Sequence, residues 1–273
     1  MKRMRFQIGL KLFSVNGDLI EEVLRLYADD WFDFIELMVI PGTFADTRSV
    51  WKHMSIPVVI HAPHSGQGVN LADKRKKAEN MQKLHEAQKF ADLTRADKMI
   101  VHGGHNGDLS ELVRQLRELD DPRLVLENKP KMGLQGELCI GFTPDELRQV
   151  VRAVNLAGTA LDFGHATYAA CSLQIDAMEL IHGFMAFTPV VFHLSDGDRA
   201  SEKDMHLNFG EGNFDLGHYC RTIPDDALVT LETPRRADTG LADFKSDVLF
   251  LRALAADDSG NYAGTVSTGE KRR

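Results

Sequence analysis

The chain is short of cysteine. Cys139, Cys171 and Cys220 are odd in number, far apart and in no CxxC pair. This excludes a disulfide framework and a thiolate-built structural zinc site, and it reads as reduced thiols in a cytoplasmic protein. No apolar run approaches the ~18 residues of a membrane helix, so no membrane partner is expected. The start, MKRMRFQIGLKLF, has neither the long apolar core nor the cleavage site of a secretory signal. No GxGxxG follows the first predicted strand, which weakens a dinucleotide-binding reading. Positive charge is not in excess: 32 Lys and Arg stand against 40 Asp and Glu, a formal net charge of −8. A broad nonspecific grip on nucleic acid or anionic membrane is therefore not the default, although a local basic patch is still allowed. No linker composition divides the chain into two domains.

What is present is alternation. Eight short β-rich runs lie at 6–13, 32–39, 57–63, 98–104, 123–130, 158–166, 189–196 and 227–234. Between them come amphipathic stretches such as GDLIEEVLRLYADD, DLSELVRQLREL and TPDELRQVVRAV, the last opening with the capping signature Thr143, Pro144, Glu146. The longest helical stretch, KRKKAENMQKLHEAQKFADLTRA, begins with a basic run that reads as a solvated face. Strand–helix alternation implies right-handed crossovers and a parallel sheet. Eight units in 273 residues predict an α/β fold, a single-domain (β/α)8 TIM barrel spanning 1–255, with a doubly wound open sheet as the alternative. Residues 256–273, ADDSGNYAGTVSTGEKRR, are polar and aperiodic and are expected to form a disordered tail.

A barrel carries its active site at the C-terminal ends of its strands. The polar residues there are Glu36, His61 and His64, His102 and His105, Glu127 with Asn128 and Lys129, Asp162 and His165, His193 with Asp196 and Asp198, Asp204 and His206, and Glu232. A lone histidine at a strand tip is ordinarily a hydrogen-bonded structural residue, and a lone buried glutamate an ion-pair partner. Together they are another matter. Several carboxylates in one cavity would repel one another and lose hydration unless something cationic offsets them. Imidazole plus carboxylate is the donor mix for Zn²⁺, Mn²⁺ or Fe²⁺.

The motifs HAP (61–63), HGG (102–104), LEN (126–128), DFGH (162–165), FHLSD (192–196), DMH (204–206), GEG (210–212) and LETP (231–234) resemble the endonuclease IV group of the xylose isomerase-like barrels, over residues 6 to 255. The resemblance implies up to three zinc ions. His61, His102 and Glu127 would hold the first. Glu127 would bridge to a second completed by Asp162, His193 and Glu232. His165, Asp204 and His206 would hold the third. Sugar isomerases and epimerases of the same superfamily resemble only the second set. The resemblance thus implies a metal-dependent phosphoester hydrolase. The alternative is a single-metal isomerase or epimerase in which Glu127 and Glu232 exchange a proton at carbon. A weaker third reading is a non-catalytic barrel that keeps its metal.

The substrate face departs from the DNA-cutting members. Met205 stands where they usually carry arginine, and HSGQGVNLAD after the third strand has no aromatic wedge. The second-strand loop, PGTFADTRSVW, carries little positive charge. Fewer backbone contacts mean weaker DNA affinity, so a small phosphorylated or sugar-like substrate is favoured and DNA disfavoured. Lys11, Glu36, His64, His105 and Lys129 are candidate substrate contacts, each with an ordinary structural role as its competitor. Asp196 and Asp198 are expected to orient ligand histidines or the following loop.

Overall fold

The strands that position the site are short and β-branched, and each is followed by a helix. The computed structural model describes residues 4–236 and 239–261. Its strands are β1 Gln7–Phe13, β2 Phe34–Met38, β3 Val58–His61, β4 Met99–His102, β5 Leu124–Glu127, β6 Gly158–Asp162, β7 Val191–Leu194 and β8 Leu228–Leu231. All neighbours pair in parallel, and β8 returns to β1, closing the barrel in chain order. The open doubly wound alternative is thereby excluded. Outside lie α1 Ile20–Ala28, α2 Phe44–Trp51, α3 Lys77–Thr94, α4 Leu109–Leu119, α5 Pro144–Ala153, α6 Phe163–Leu173, α7 Ala177–Met185, α8 Leu216–Thr222 and α9 Ala242–Asn261. The expected tail begins inside α9, which runs to Asn261, and residues 262–273 lie outside the described residues. No helix among the described residues is long and apolar enough to cross a membrane.

Side chains on a strand alternate between its two faces. Here the inward set is itself layered. Phe34, Val59, Ile100, Val125, Ala160 and Val191 pack together as an apolar floor inside the barrel. Two residues further along the same strands stand Glu36, His61, His102, Glu127, Asp162 and His193, as the next inward layer. Burial on the floor therefore fixes which face the ionisable layer must use. A slip of one residue would turn both layers outward. Gly9 serves this floor: a Cβ there would lie 2.4 Å from Phe34 Cζ, so the ring closes the barrel only over a glycine. The larger apolar cluster lies between the barrel and its helices.

Two local signals resolve differently from expectation. Thr143 Oγ1 does accept from the Glu146 amide, at 3.3 Å. The Glu146 carboxylate, however, reaches back past the cap to the Gly141 and Phe142 amides, at 3.0 and 3.1 Å. The sixth strand is shorter than 158–166, because Asp162 ends it and caps α6 by accepting from the His165 amide at 2.6 Å.

Candidate metal centre

Among the described residues, four groups of potential ligands converge at the C-terminal mouth, each with donor atoms within 4.8 Å of one another: His61, His102 and Glu127; Glu127, Asp162 and His193; Glu36, His193 and Glu232; and His165, Asp204 and His206. All nine residues of the expected ligand set occur among them. Glu127 belongs to two groups and is the hinge between them. Its Oε2 lies 2.9 Å from His102 Nε2, 3.4 Å from His61 Nε2 and 3.6 Å from His193 Nδ1, while its Oε1 lies 3.0 Å from His165 Nδ1. His193 Nδ1 is also 3.2 Å from Glu232 Oε1 and 3.9 Å from Asp162 Oδ2. Asp204 Oδ2 lies between His165 Nε2, at 3.2 Å, and His206 Nε2, at 2.7 Å.

Strand register delivers the first two groups: His102 pairs with Glu127, and Asp162 with His193. The group of His165, Asp204 and His206 is built by loop and helix. His165 comes from the first turn of α6 rather than from a strand. Asp204 and His206 come from the excursion after β7, which folds back because Asp196 and Leu207 pair antiparallel through two backbone bonds of 3.0 and 2.8 Å. The buried Asp196 carboxylate accepts from the Gly197, Gly210, Gly212 and Phe214 amides. Asp198 accepts from Ala200 and Asn213 in the same loop. Both aspartates therefore order the loop and not a ligand histidine. Asp247 of α9 anchors it from outside through Asn208 and the Phe209 amide.

The residues present fit a cation. Four of the five ligand-set histidines commit one ring nitrogen to a fixed acceptor and turn the other inward: His61 Nδ1 to Ala62 O, His165 Nδ1 to Asn128 O, His206 Nδ1 to Glu232 O and His193 Nε2 to Glu36 Oε2. Such partners set the tautomer and aim of metal-ligating imidazoles. The inward atoms Glu127 Oε1, His193 Nδ1 and Asp204 Oδ1 are buried without a hydrogen-bond partner among the described residues, which is costly unless something else engages them. Burial, against the pull of Glu127, lowers the His102 pKa to about 3, so its lone pair is available. Burial would lower His165 too, but Asp162 and then Asp204 outweigh it and raise the ring to about 10; Asp204 likewise raises buried His206 to about 9.

The remaining candidates divide. Lys11 faces inward, ion-pairs with Glu232 and lies 3.5 Å from Glu36. Glu36 is buried beneath the mouth, accepting from Thr230 at 2.6 Å and holding His193; it supports a ligand rather than lining the cavity. Lys129 reaches His165 Nε2 at 3.3 Å. His64 lines the cavity with its ring 4.7 Å from that of His102, and burial followed by His102 and His61 drives its pKa well below the usual range. His105 stands apart from the cavity lining and is pinned by backbone bonds to Asn70 and a bridge to Cys139. The mouth opens as a cavity of about 760 Å³. Arg235, Asn16 and Gln67 also line it. They belong to loops, where neither period nor register marks a residue in advance.

A family model described as xylose isomerase-like TIM barrel matches residues 24–254. No curated protein matches the chain. Among solved structures it is similar to a D-tagatose 3-epimerase-like protein, at 19% identity and a TM-score of 0.66, covering 93% of this chain and 100% of that one. Endonuclease IV from Thermus thermophilus is similar at 20% identity and a TM-score of 0.65, covering 92% and 99%. The TTHB071 protein from the same organism, soaked with ZnCl2, is similar at 22% identity and a TM-score of 0.66, again covering 92% and 99%. At these identities the structural likenesses speak for the fold, whereas the family model covers most of the sequence. With its closed parallel barrel, the chain belongs to the xylose isomerase-like TIM barrel family.

Proposed function

We propose that the protein is a multinuclear metal-dependent hydrolase of small phosphoesters, with zinc in up to three positions. The observation that carries this is the cluster of His165, Asp204 and His206 beside the other groups. An isomerase working at His193, Asp162, Glu127 and Glu232 has no use for it, and a loop ordered by one buried aspartate is needed to build it. Divalent cations held there would supply Lewis acidity, making water a nucleophile near neutral pH and neutralising phosphoryl charge. The protein's own share is positioning. Glu127 ties the first two groups together. Lys11 compensates Glu232 and Glu36, and Lys129 sets a positive charge beside the third group. The neutral His64 ring can orient substrate at the cavity wall.

Cavity size and lining favour a small substrate. About 760 Å³ is in the range that encloses small molecules rather than duplex DNA. Met205 is exposed on the loop where a DNA-cutting relative would carry arginine, and the turn Ser65–Gln67 offers no wedge. One observation favours the epimerase reading: Glu127 and Glu232 both approach His193 Nδ1, at 3.6 and 3.2 Å, as a pair of proton-exchanging carboxylates flanking one ion would.

The deciding experiment counts metal in protein purified without added metal, then compares His206→Ala with Glu232→Gln on phosphoesters, abasic duplex DNA and free sugars. We expect two or three equivalents in the wild type and one fewer in His206→Ala. Phosphoesterase turnover should fall about a hundredfold or more, the scale of losing one preorganised stabilising group. Full activity of His206→Ala on a sugar whose carbon-bound proton exchanges with solvent, with Glu232→Gln inactive, would establish the epimerase instead. Robust incision of abasic DNA at physiological salt would establish a repair enzyme.

A further inference from the structure

The cavity lining is of two kinds. The ligand residues His61, His102, His165, Asp204, His206 and Glu232 form one part. Phe13, Leu19 and Phe244 with two arginines, Arg235 and Arg236, form another. The positive side chains around this cavity are not equivalent. Lys11 is taken by Glu232 and Arg236 by Asp243 in a fork whose shorter arm is 2.6 Å, while Lys129 Nζ stands 3.3 Å from His165 Nε2 beside the ligand groups. Arg235 is different. Its Nη2 donates to Asn16 Oδ1 at 3.1 Å, while its Nη1 is buried and has no hydrogen-bond partner among the described residues. Asn16 is itself held, because its Oδ1 also accepts from the Phe13 amide at 2.8 Å. The guanidinium is thus fixed on one side and has an unused donor on the other.

A buried cationic donor without an acceptor is costly, and burial lowers the Arg235 pKa from its usual value despite the nearby Asp18 carboxylate. Such a group is kept where a ligand supplies the acceptor. A guanidinium with free N–H groups matches the planar or tetrahedral oxyanions of carboxylate and phosphate. The ligand groups would take the phosphoester itself, which leaves Arg235 for a different anionic group on the same molecule. We propose that Arg235 is a specificity-determining residue that binds a second oxyanion of the substrate, which makes the substrate class a small phosphoester bearing a further carboxylate or phosphate. This rests on the phosphoester reading above.

The test uses phosphonates, whose C–P bond is not hydrolysed, so that binding is read without turnover. Calorimetry on the metal-loaded full chain compares propylphosphonate, which has one anionic group, with 3-phosphonopropionate and propane-1,3-bisphosphonate, which have two. The wild type should prefer the doubly anionic probes by about ten- to a hundredfold, the scale of one charge-assisted contact. The better of the two identifies the second group as carboxylate or phosphate. Arg235→Gln should erase the preference and leave propylphosphonate affinity within about twofold. Arg235→Lys should restore part of it, since charge without the fork remains. Arg236→Gln, whose arginine is already paired, should keep the full preference. Equal affinity of the wild type for all three probes, or a preference that survives in Arg235→Gln, would overturn the Arg235 assignment alone. Failure of every phosphonate to bind the metal-loaded wild type would instead overturn the phosphoester reading.

Discussion

At the residue scale, the histidines of the centre are prepared for a cation but differ in what they carry without one. His102 is neutral, with a pKa of about 3, whereas His165 and His206 are held at about 10 and 9 by Asp162 and Asp204. An imidazolium cannot ligate, so a metal entering the third group must displace those protons. Both pKa values lie above the usual 6.5. The stability these rings give the metal-free protein is therefore complete below about 6.5 and is lost as pH rises through 9 to 10. Metal affinity should run the other way, strengthening from about pH 6.5 towards 9. Zinc titrations in buffers of differing ionisation enthalpy should show more than one proton released per protein at about pH 7.5. Zero release in wild type, or unchanged release in His206→Ala, would contradict this.

At the element scale, the excursion after β7 determines whether the third group exists. It is not a regular element, and its return rests on Asp196, whose carboxylate accepts four loop amides. Hydrogen bonds to a charged group are worth about 1.5–3 kcal/mol each, so their joint loss exceeds what a surface loop can absorb. Asp196→Ala should loosen residues 197–214, raise amide exchange there and cost one metal equivalent. The two groups built from strand tips should keep theirs. Loss of all bound metal, or of none, would show that the loop is not the independent support of the third group. By contrast, β-strand register holds His102 opposite Glu127 and needs no such device.

At the scale of the whole molecule, the ionisable layer and the apolar floor share one barrel, so metal and fold should be coupled. Ligands that bind only the folded chain stabilise it by mass action, by about 2.7 kcal/mol at a hundredfold excess over Kd. Chelation should therefore lower the melting temperature. Glu127→Gln should reduce metal content, abolish activity and make melting far less sensitive to chelator, while the far-ultraviolet circular dichroism remains that of a folded barrel. If chelator and Glu127→Gln both leave melting and metal content unchanged, the ligand assignment is wrong.

The sequence by itself determined the barrel. Eight β-branched runs alternating with amphipathic stretches leave few ways to bury both faces of a parallel sheet, and closure is the one observed. It also determined which side chains form the inward layer above the floor, because a period of two from the floor residues to Glu36, His61, His102, Glu127, Asp162 and His193 is written in the chain. What it did not determine is how the side chains divide. Glu36 and His105 carry the same local signals as true cavity residues, yet one is buried under His193 and the other is tied to Asn70 and Cys139. His165 looked like a strand residue until Asp162 capped the helix that bears it. Arg235 carries no local mark, since a loop arginine has no period, and only the positions of Asn16, Glu232 and Asp243 reveal which cations are already paired. Periodicity is local and survives in the string of letters. Which charge meets which is fixed by residues brought together from distant parts of the chain, and that is decided only when the barrel closes.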